Sequence, residues 1–366
     1  MTDSQKTFRV LSIDGGGMRG LYTATYLDAL AKRYAITRKS GALDIGKGFD
    51  LIVGTSTGGI IACALAAGIQ LDKVSHLYTK HGPQIFPRKL PQDIGALLVN
   101  GTKWSSFIHE GNQALKNALT EASGDLKVID IYTDRGISLA VPAVEMTKHG
   151  SWVFKTPHLK NSKHRDDHYK LADICLATSA APIYRSLAAI DNPDTAGYRV
   201  FCDGGLWANT PILVGLIDAL EMTSQGDKIE VYCLGTCPRP SGEHISKDDV
   251  DRGLLGWRFG GYAVSLSLDA QEFAFRNMAR MLTSHLNRQV DIITFPCETP
   301  AADIMQYLDL DETRQAGLDA LINQANRDVD ITLSACGNTN DREGQFLDNL
   351  FLSLPEMVKS HVTASR

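Results

Sequence analysis

The sequence predicts an α/β fold with a mostly parallel central sheet, followed by a helical C-terminal part. Between residue 8 and about residue 240, strand patterns alternate with helical patterns. Two glycine-rich turns, at 14–20 and 54–59, each join a strand to a helix. Beyond residue 240 the apolar residues recur at helical spacing. We expect a core at 8–240 and a helical extension at 241–366 packed on the same domain.

The composition is that of an ordinary globular protein, with 43% hydrophobic and 22% charged residues in 366. A net charge of −5 gives no general attraction to DNA, RNA or an anionic bilayer. The first ten residues lack the apolar core of a signal peptide, and the longest apolar run is too short to span a bilayer. We therefore expect a cytoplasmic location. The seven scattered cysteines are expected to be reduced and buried, and none has the spacing of a metal site.

The elements can be placed in chain order from their periodicity and their breakers. The expected strands are 8–13, 49–54, 136–146, 152–156, 198–205 and 228–237. The expected helices are 21–35, 60–67, 71–81, 112–122, 171–182, 262–286, 310–326 and 343–360. Between them, the proline-rich stretch at 83–108 is expected to be irregular and to act as a lid or entrance.

Residues 49–59, FDLIVGTSTGG, contain the G-x-S-x-G pattern between a strand and a buried helix. In hydrolases with this pattern, the serine sits on a sharp turn that presents its hydroxyl at the carboxyl edge of a sheet. Ser56 is therefore the candidate nucleophile. The alternative is a turn of small residues that happens to contain a serine, since short motifs often match by chance.

The glycine run DGGGMRG at 14–20 has three interpretations. Gly15, Gly17 and Gly20 match the dinucleotide-binding pattern G-x-G-x-x-G. Asp14 would face the pyrophosphate, however, and no acidic residue follows at a strand end at the expected distance. Consecutive backbone amides at a helix N-terminus can instead form an oxyanion hole. The third interpretation is a simple tight turn.

A serine nucleophile needs a base, and no histidine after Ser56 lies at a glycine-flanked strand end. Asp203 does, because it follows an apolar strand and precedes two glycines. A carboxylate within hydrogen-bond reach of the hydroxyl can act as the base, which makes a Ser–Asp dyad the simplest assembly. Taken alone, Asp203 would be interpreted more readily as a turn-capping residue.

Several of these motifs, in this order, resemble those of the patatin-like phospholipase family. The similarity rests on DGGGMRG, GTSTGG and DGG, and on the segments KHGPQIF (80–86), ATSAAPIY (177–184), DGGLWANTP (203–211) and CLGTC (233–237). It covers residues 8 to 240. The chain departs from the family at Cys237, where members often have glycine.

The resemblance implies a three-layer α/β/α sandwich and hydrolysis of glycerophospholipid acyl esters. It assigns the dyad to Ser56 and Asp203, the oxyanion-hole amides to Gly16 and Gly17, and a contact with the lipid phosphate to Arg19. No metal or cofactor is implied.

In overall character the chain resembles the phospholipase effectors of bacterial anti-phage (CBASS) systems. That resemblance implies activation by a cyclic di- or oligonucleotide and degradation of the cell's own membrane. We would then expect an enzyme that lies peripherally at the inner membrane when active, with a homo-oligomer formed on activation. Two alternatives stay open. One is a constitutive lipid acyl hydrolase, and the other is a nucleotide-binding module that uses the Gly15–Gly20 loop.

Two further stretches have more than one interpretation. The basic segment 155–170 carries His164 and His168 four residues apart, and is interpreted as a solvated surface more readily than as a ligand pair or a phosphate contact. The segment 254–282 is rich in aromatic residues and methionine. It is expected to pack on the core, or else to line an acyl channel or touch a bilayer.

Overall fold

The computed structural model describes residues 6–89, 103–237, 245–257, 260–296, 300 and 302–358. Within these ranges the protein is organised around an eight-stranded sheet. Its strands are β1 (Thr7–Ile13), β2 (Leu51–Gly54), β3 (Ser138–Glu145), β4 (Gly150–Lys155), β5 (Ala188–Asp191), β6 (Tyr198–Asp203), β7 (Lys228–Leu234) and β8 (Val290–Phe295).

Five of the strands form the parallel part of the sheet, in the order β3-β2-β1-β7-β8. The remaining three are antiparallel. Strands β4 and β6 both pair with β3, and β5 pairs with β6 at the edge of the sheet. The prediction of a mostly parallel sheet is confirmed, and the antiparallel strands gather at one side of it.

The helices lie on both faces of this sheet. They are α1 (Gly20–Arg38), α2 (Thr57–Ala67), α3 (Leu71–His76), α4 (Gly82–Ile85), α5 (Trp104–Ser123), α6 (Val128–Asp130), α7 (Leu171–Thr178), α8 (Gly205–Ala208), α9 (Ile212–Met222), α10 (Gly261–Thr283), α11 (Gln315–Cys336) and α12 (Arg342–Ser353). Two π-helical turns follow α3 and α6, at Leu77–His81 and Ile131–Arg135. Short 3₁₀ turns lie at Gly17–Arg19, Gly46–Gly48, Lys247–Asp249 and Ala302–Tyr307.

A hydrophobic core lies on each face of the sheet, between the sheet and the helices that cover that face. Side chains alternate across a strand, so Val10 of β1 enters one core and Leu11 the other. The Val10 core is closed by α9 and α10, and the Leu11 core by a group of helices that includes α1, α2 and α11. The three-layer α/β/α arrangement is therefore confirmed.

The C-terminal part differs from the sequence prediction in one respect, because it also contributes a strand. Strand β8 extends the sheet beside β7. Its sequence, VDIITF, was not recognised because Asp291 and Thr294 interrupt the apolar run. At this edge of the sheet, Asp291 forms an ion pair with Lys228 of β7, with its carboxylate oxygen 3.3 Å from Nζ.

Several boundaries also differ from those predicted. Helix α5 begins at Trp104 rather than 112, α11 runs to Cys336 rather than 326, and α12 ends at Ser353 rather than 360. The short strand β5 was not predicted. Of the predicted lid at 83–108, residues 90–102 lie outside the described ranges, so that prediction stays open. The six cysteines that the structure describes are buried and free, as expected.

Candidate active site

Ser56 occupies a strained turn between β2 and α2. Its backbone angles are φ 55° and ψ −124°, a conformation that non-glycine residues seldom adopt. A Cβ added to Gly58 would lie 2.4 Å from the carbonyl oxygen of Ile13, so only glycine lets the first turn of α2 approach β1 this closely. The strand–turn–helix context predicted for Ser56 is therefore present in the fold.

The hydroxyl of Ser56 donates a hydrogen bond to the carboxylate of Asp203, with 2.8 Å between Oγ and Oδ2. The other carboxylate oxygen of Asp203, Oδ1, accepts the backbone N–H of Gly205 at 2.7 Å. Both residues line one cavity, and no histidine is among the described residues that line it. The geometry is that of a two-residue nucleophile–base pair.

Asp203 reaches Ser56 by a route that the sequence did not predict. A strand of the predicted parallel sheet would run in the same direction as β2, but β6 runs antiparallel to β3. Val53 of β2 pairs with Ala140 of β3, whereas Asp203 pairs with Ala143, three residues further along β3. Asp203 therefore lies level with the turn that follows β2, where Ser56 sits.

Burial raises the pKa of Asp203 to about 7. The hydrogen bonds from Gly205 and Ser56 and the positive charge of Arg185 oppose this rise only in part. A carboxyl group with a pKa near neutrality can take a proton from a hydroxyl and later return it, which is what a general base that becomes a general acid must do.

This pKa predicts the pH dependence of hydrolysis. Asp203 must be ionised to act as a base, so kcat/KM for an ester is expected to rise about tenfold per pH unit below pH 7 and to level off above it. Initial rates between pH 5 and 8.5 on a substrate without titratable groups test this, with circular dichroism to confirm that the protein stays folded. A flat profile over this range would contradict the assignment of Asp203 as the base.

The glycine run lies against the same cavity. Gly16 and Gly17 line it together with Ser56, and Gly17 has a φ of 58°. The loop is held at both ends, because Gly15 N donates to Asn209 O at 2.9 Å and Met18 N donates to Leu310 O at 2.9 Å. In the part of the chain that the structure describes, the amides of Gly16 and Gly17 have no hydrogen-bond partner. Two such amides beside a nucleophile favour the oxyanion-hole interpretation over dinucleotide binding.

Asp14, which begins the glycine run, is buried and paired with a helix of the C-terminal part. Its Oδ2 atom accepts a hydrogen bond from Arg276 of α10 at 2.6 Å, and Arg276 also contacts Glu272 at 3.1 Å. Gln271 of the same helix contacts the loop after Asp203, since its Nε2 donates to Gly205 O at 3.1 Å. Helix α10 therefore supports both the glycine loop and the Asp203 loop from one side.

The predicted phosphate contact, Arg19, has a different environment. Its side chain is buried, and the guanidinium donates to Gly16 O at 3.3 Å and to Cys237 O at 3.4 Å. Arg19 is not among the residues that line the cavity. In this arrangement it ties the glycine loop to the segment after β7, and its role toward the lipid phosphate stays a prediction.

Two residues of the site were not singled out from the sequence. Thr178 Oγ1 accepts the backbone N–H of Ser56 at 2.8 Å and donates to Pro142 O at 2.7 Å, which fixes the strained turn. Arg185 lines the cavity near Asp203. Thr178 lies in the ATSAAPIY segment and Arg185 directly follows it, so the sequence pattern did mark this region. The pattern does not show which side chains of the region contact Ser56 or face the cavity, because those contacts form only when the chain folds.

The cavity itself suits an acyl chain. Its volume is about 780 Å³ including its open mouth, and most of its lining is apolar, supplied mainly by Ile60, Leu77, Ile85, Phe86, Leu115 and Leu268. The dyad and the glycine amides provide the polar groups. Such a site, with apolar walls and a few convergent polar atoms, is typical of a substrate pocket.

The histidines of the basic segment do not form a ligand pair. His164 Nδ1 contacts Asp167 at 2.7 Å and His168 Nδ1 contacts Asp194 at 2.5 Å. Both histidines are exposed, whereas His158 of the same segment is buried against Asp218. The segment is thus a largely solvent-exposed surface stretch in which His158 is buried. Within the described ranges, no group of three or more His, Cys, Asp or Glu side chains could hold a metal ion.

Comparison with known proteins agrees with this geometry. The family model described as patatin-like phospholipase matches residues 11–216, which include the end of β1, the glycine loop, the Ser56 turn and Asp203. The chain belongs to the patatin-like phospholipase family. The resemblance seen in the motifs is therefore confirmed, and the protein is an enzyme of the lipid acyl hydrolase class.

Similar proteins include bacterial and plant members of this family. A cGAMP-activated phospholipase of Pseudomonas aeruginosa is 34% identical over 78% of this chain and 78% of its own length. A cGAMP-activated phospholipase of Escherichia coli is 31% identical over 94% of this chain and 93% of its own. Patatin-like protein 1 of Arabidopsis thaliana is 25% identical over 91% of this chain and 87% of its own length.

Proposed function

We propose that this patatin-like phospholipase cleaves acyl esters of membrane glycerophospholipids through Ser56 and Asp203, under the control of a cyclic nucleotide. The observation that carries the catalytic part is the 2.8 Å hydrogen bond between Ser56 Oγ and Asp203 Oδ2 at the wall of an apolar cavity. The family match supports the substrate class.

The reaction proceeds in two stages. Ser56 Oγ attacks the ester carbonyl as Asp203 accepts its proton, and the amides of Gly16 and Gly17 donate to the resulting oxyanion. The intermediate collapses to an acyl-serine, and the leaving alkoxide of the lysophospholipid takes the proton back from Asp203. Water then attacks the acyl-serine with Asp203 again as the base, which releases the fatty acid and restores Ser56.

We propose that α10 carries the surface that meets the membrane. Val264 and Leu268 of this helix line the cavity, so the helix borders the site where a lipid would enter. Its outer side exposes an apolar stripe, in which Phe273 is 75% and Met281 67% exposed. Leu266 and Met278 are also exposed on this helix. Exposed apolar side chains on an amphipathic helix are typical of interfacial membrane binding. Among the described helices, none is long and apolar enough to cross a bilayer.

Charged substitutions on this stripe test the membrane-facing surface. In the double variant Phe273→Glu, Met281→Glu, two apolar side chains worth about 1.5–3 kcal/mol each on burial are replaced by anions. Vesicle hydrolysis is expected to fall at least about tenfold more than hydrolysis of a monomeric short-chain ester. Vesicle co-sedimentation measures the binding directly.

The matched control is Ile36→Glu, because Ile36 is equally exposed but belongs to α1. Equal vesicle binding by the double variant and the wild type would contradict the proposed surface.

Control by a cyclic nucleotide is supported by the relatives. Two proteins that match most of this chain at 34% and 31% identity are named cGAMP-activated phospholipases. A lipid hydrolase with access to its own cell's membrane also needs a switch. We therefore propose that cGAMP, or a related cyclic di- or oligonucleotide, turns on hydrolysis, with assembly into a homo-oligomer.

One experiment separates the regulated enzyme from a constitutive one. Fatty-acid release from phospholipid vesicles is measured for the wild type alone and with a panel of cyclic di- and trinucleotides that includes cGAMP, with Ser56→Ala as the control. We expect Ser56-dependent release that rises sharply with one nucleotide. Equal release without any nucleotide would support a constitutive acyl hydrolase instead. Sedimentation velocity under the same conditions tests the oligomer.

A further inference from the structure

The guanidinium of Arg185 is a buried positive charge at the wall of the active-site cavity. The side chain is only 6% exposed, and it lines the same cavity as Ser56 and Asp203. One N–H group donates to Asn112 Oδ1 at 3.0 Å, and the guanidinium carbon lies 5.9 Å from the centre of the Phe86 ring. Within the described residues it forms no salt bridge with a carboxylate.

A charge in this position is costly unless something compensates it. Burial disfavours an isolated cation, and an arginine remains protonated in a protein and has five N–H donors. The acidic group whose charge acts on Arg185 is Asp203, and the carboxylate of Asp203 already accepts hydrogen bonds from Ser56 and from the amide of Gly205. Most of the donors of Arg185 are therefore available to a ligand in the cavity, and a planar guanidinium suits a phosphate or phosphodiester group.

We propose that Arg185 is a substrate-binding residue that holds the phosphodiester of the phospholipid while Ser56 attacks the acyl ester. This assignment rests on the proposed function. It places the phosphate contact on Arg185, which lines the cavity, whereas the guanidinium of Arg19 donates to the backbone of the glycine loop and the segment after β7. Arg185 then makes the enzyme selective for phospholipids over neutral glycerides.

The test compares two lipids with identical acyl chains, phosphatidylglycerol and diacylglycerol, in the same detergent micelles with cGAMP present. In Arg185→Gln, the ratio of kcat/KM for phosphatidylglycerol to that for diacylglycerol is expected to fall about 30-fold, mainly through KM, because a charge-assisted hydrogen bond to the phosphate is lost. Arg185→Lys should retain part of the selectivity, since lysine keeps the positive charge but lacks the paired N–H donors of the planar guanidinium.

The matched control is Arg33→Gln on the exposed side of α1, which should keep the wild-type ratio. A ratio within about threefold of the wild type in Arg185→Gln would overturn the proposal. If kcat/KM falls equally for both lipids and the acid limb of the pH profile moves to higher pH, Arg185 acts only by lowering the pKa of Asp203, and the proposal is overturned.

A second measurement on the wild type covers the case in which the variants do not fold. An ether-linked phosphatidylglycerol should inhibit diacylglycerol hydrolysis at least about tenfold more strongly than the matching ether-linked diglyceride. Equal inhibition by the two would overturn the proposal. If the wild type hydrolyses neither ester with cGAMP or with any other cyclic nucleotide of the panel, the proposed function fails and this inference fails with it. Hydrolysis of both without phosphate selectivity refutes the inference alone.

Discussion

Replacing Ser56 with alanine is expected to lower fatty-acid release from phospholipid at least about 10⁴-fold, to the background rate. The variant loses the oxygen that forms the acyl-enzyme, while the oxyanion amides and the cavity remain. Removing one hydroxyl leaves in place the hydrogen bond that the backbone N–H of Gly205 donates to Asp203, so the fold should persist. Activity is measured by fatty-acid release from activated enzyme, and folding by circular dichroism.

The control for this variant is Ser106→Ala, because Ser106 lies exposed at the start of α5, where its hydroxyl contacts only Glu110 among the described residues. It should behave as the wild type. Residual activity in Ser56→Ala above about one hundredth of the wild type would mean that another group acts as the nucleophile.

Asp203→Asn is expected to lower kcat about 10³-fold or more. The amide keeps the size of the carboxyl group and can still accept the N–H of Gly205, but it cannot take the proton of Ser56. In the wild type at pH 8, above the pKa of about 7, Asp203 is a buried anion, and its removal relieves a desolvation cost. The unfolding midpoint of Asp203→Asn at pH 8 should therefore be no lower than that of the wild type.

Loss of activity without loss of stability is the combination that distinguishes a catalytic carboxylate from a structural one. Asp125→Asn provides the control, because Asp125 is an exposed acid paired with Lys170 and should affect neither quantity. A variant Asp203→Asn that is inactive and also strongly destabilised would point to a turn-capping role, the alternative that the isolated sequence left open.

The parts of the site that could be predicted from the sequence are those that need special backbone geometry. Ser56 requires a strained turn between close-packed elements, and such turns require glycine, which leaves a recognisable pattern. The glycine run at 14–20 was recognisable for the same reason. Asp203 was found from its glycine neighbours, although the antiparallel direction of β6 was not foreseen.

The parts that were missed depend on which way a side chain faces after folding. Arg19 and Arg185 are both arginines in glycine- or alanine-rich motif regions, and only the tertiary structure shows that Arg185 lines the cavity. In α10, Phe273 and Phe275 are two residues apart, yet one is exposed and the other packs against the core. A list of aromatic residues could not separate a membrane-facing side from a packing side.

The most direct test of the central claim is covalent labelling of the nucleophile. The folded protein is treated with a fluorophosphonate, which reacts with activated serine hydroxyls, and the labelled residue is identified by peptide mass spectrometry. We expect one phosphonylated serine, Ser56, with labelling that is abolished in Ser56→Ala and strongly slowed in Asp203→Asn. Labelling of a different residue, or equal labelling of Ser56 with and without Asp203, would contradict the Ser–Asp dyad.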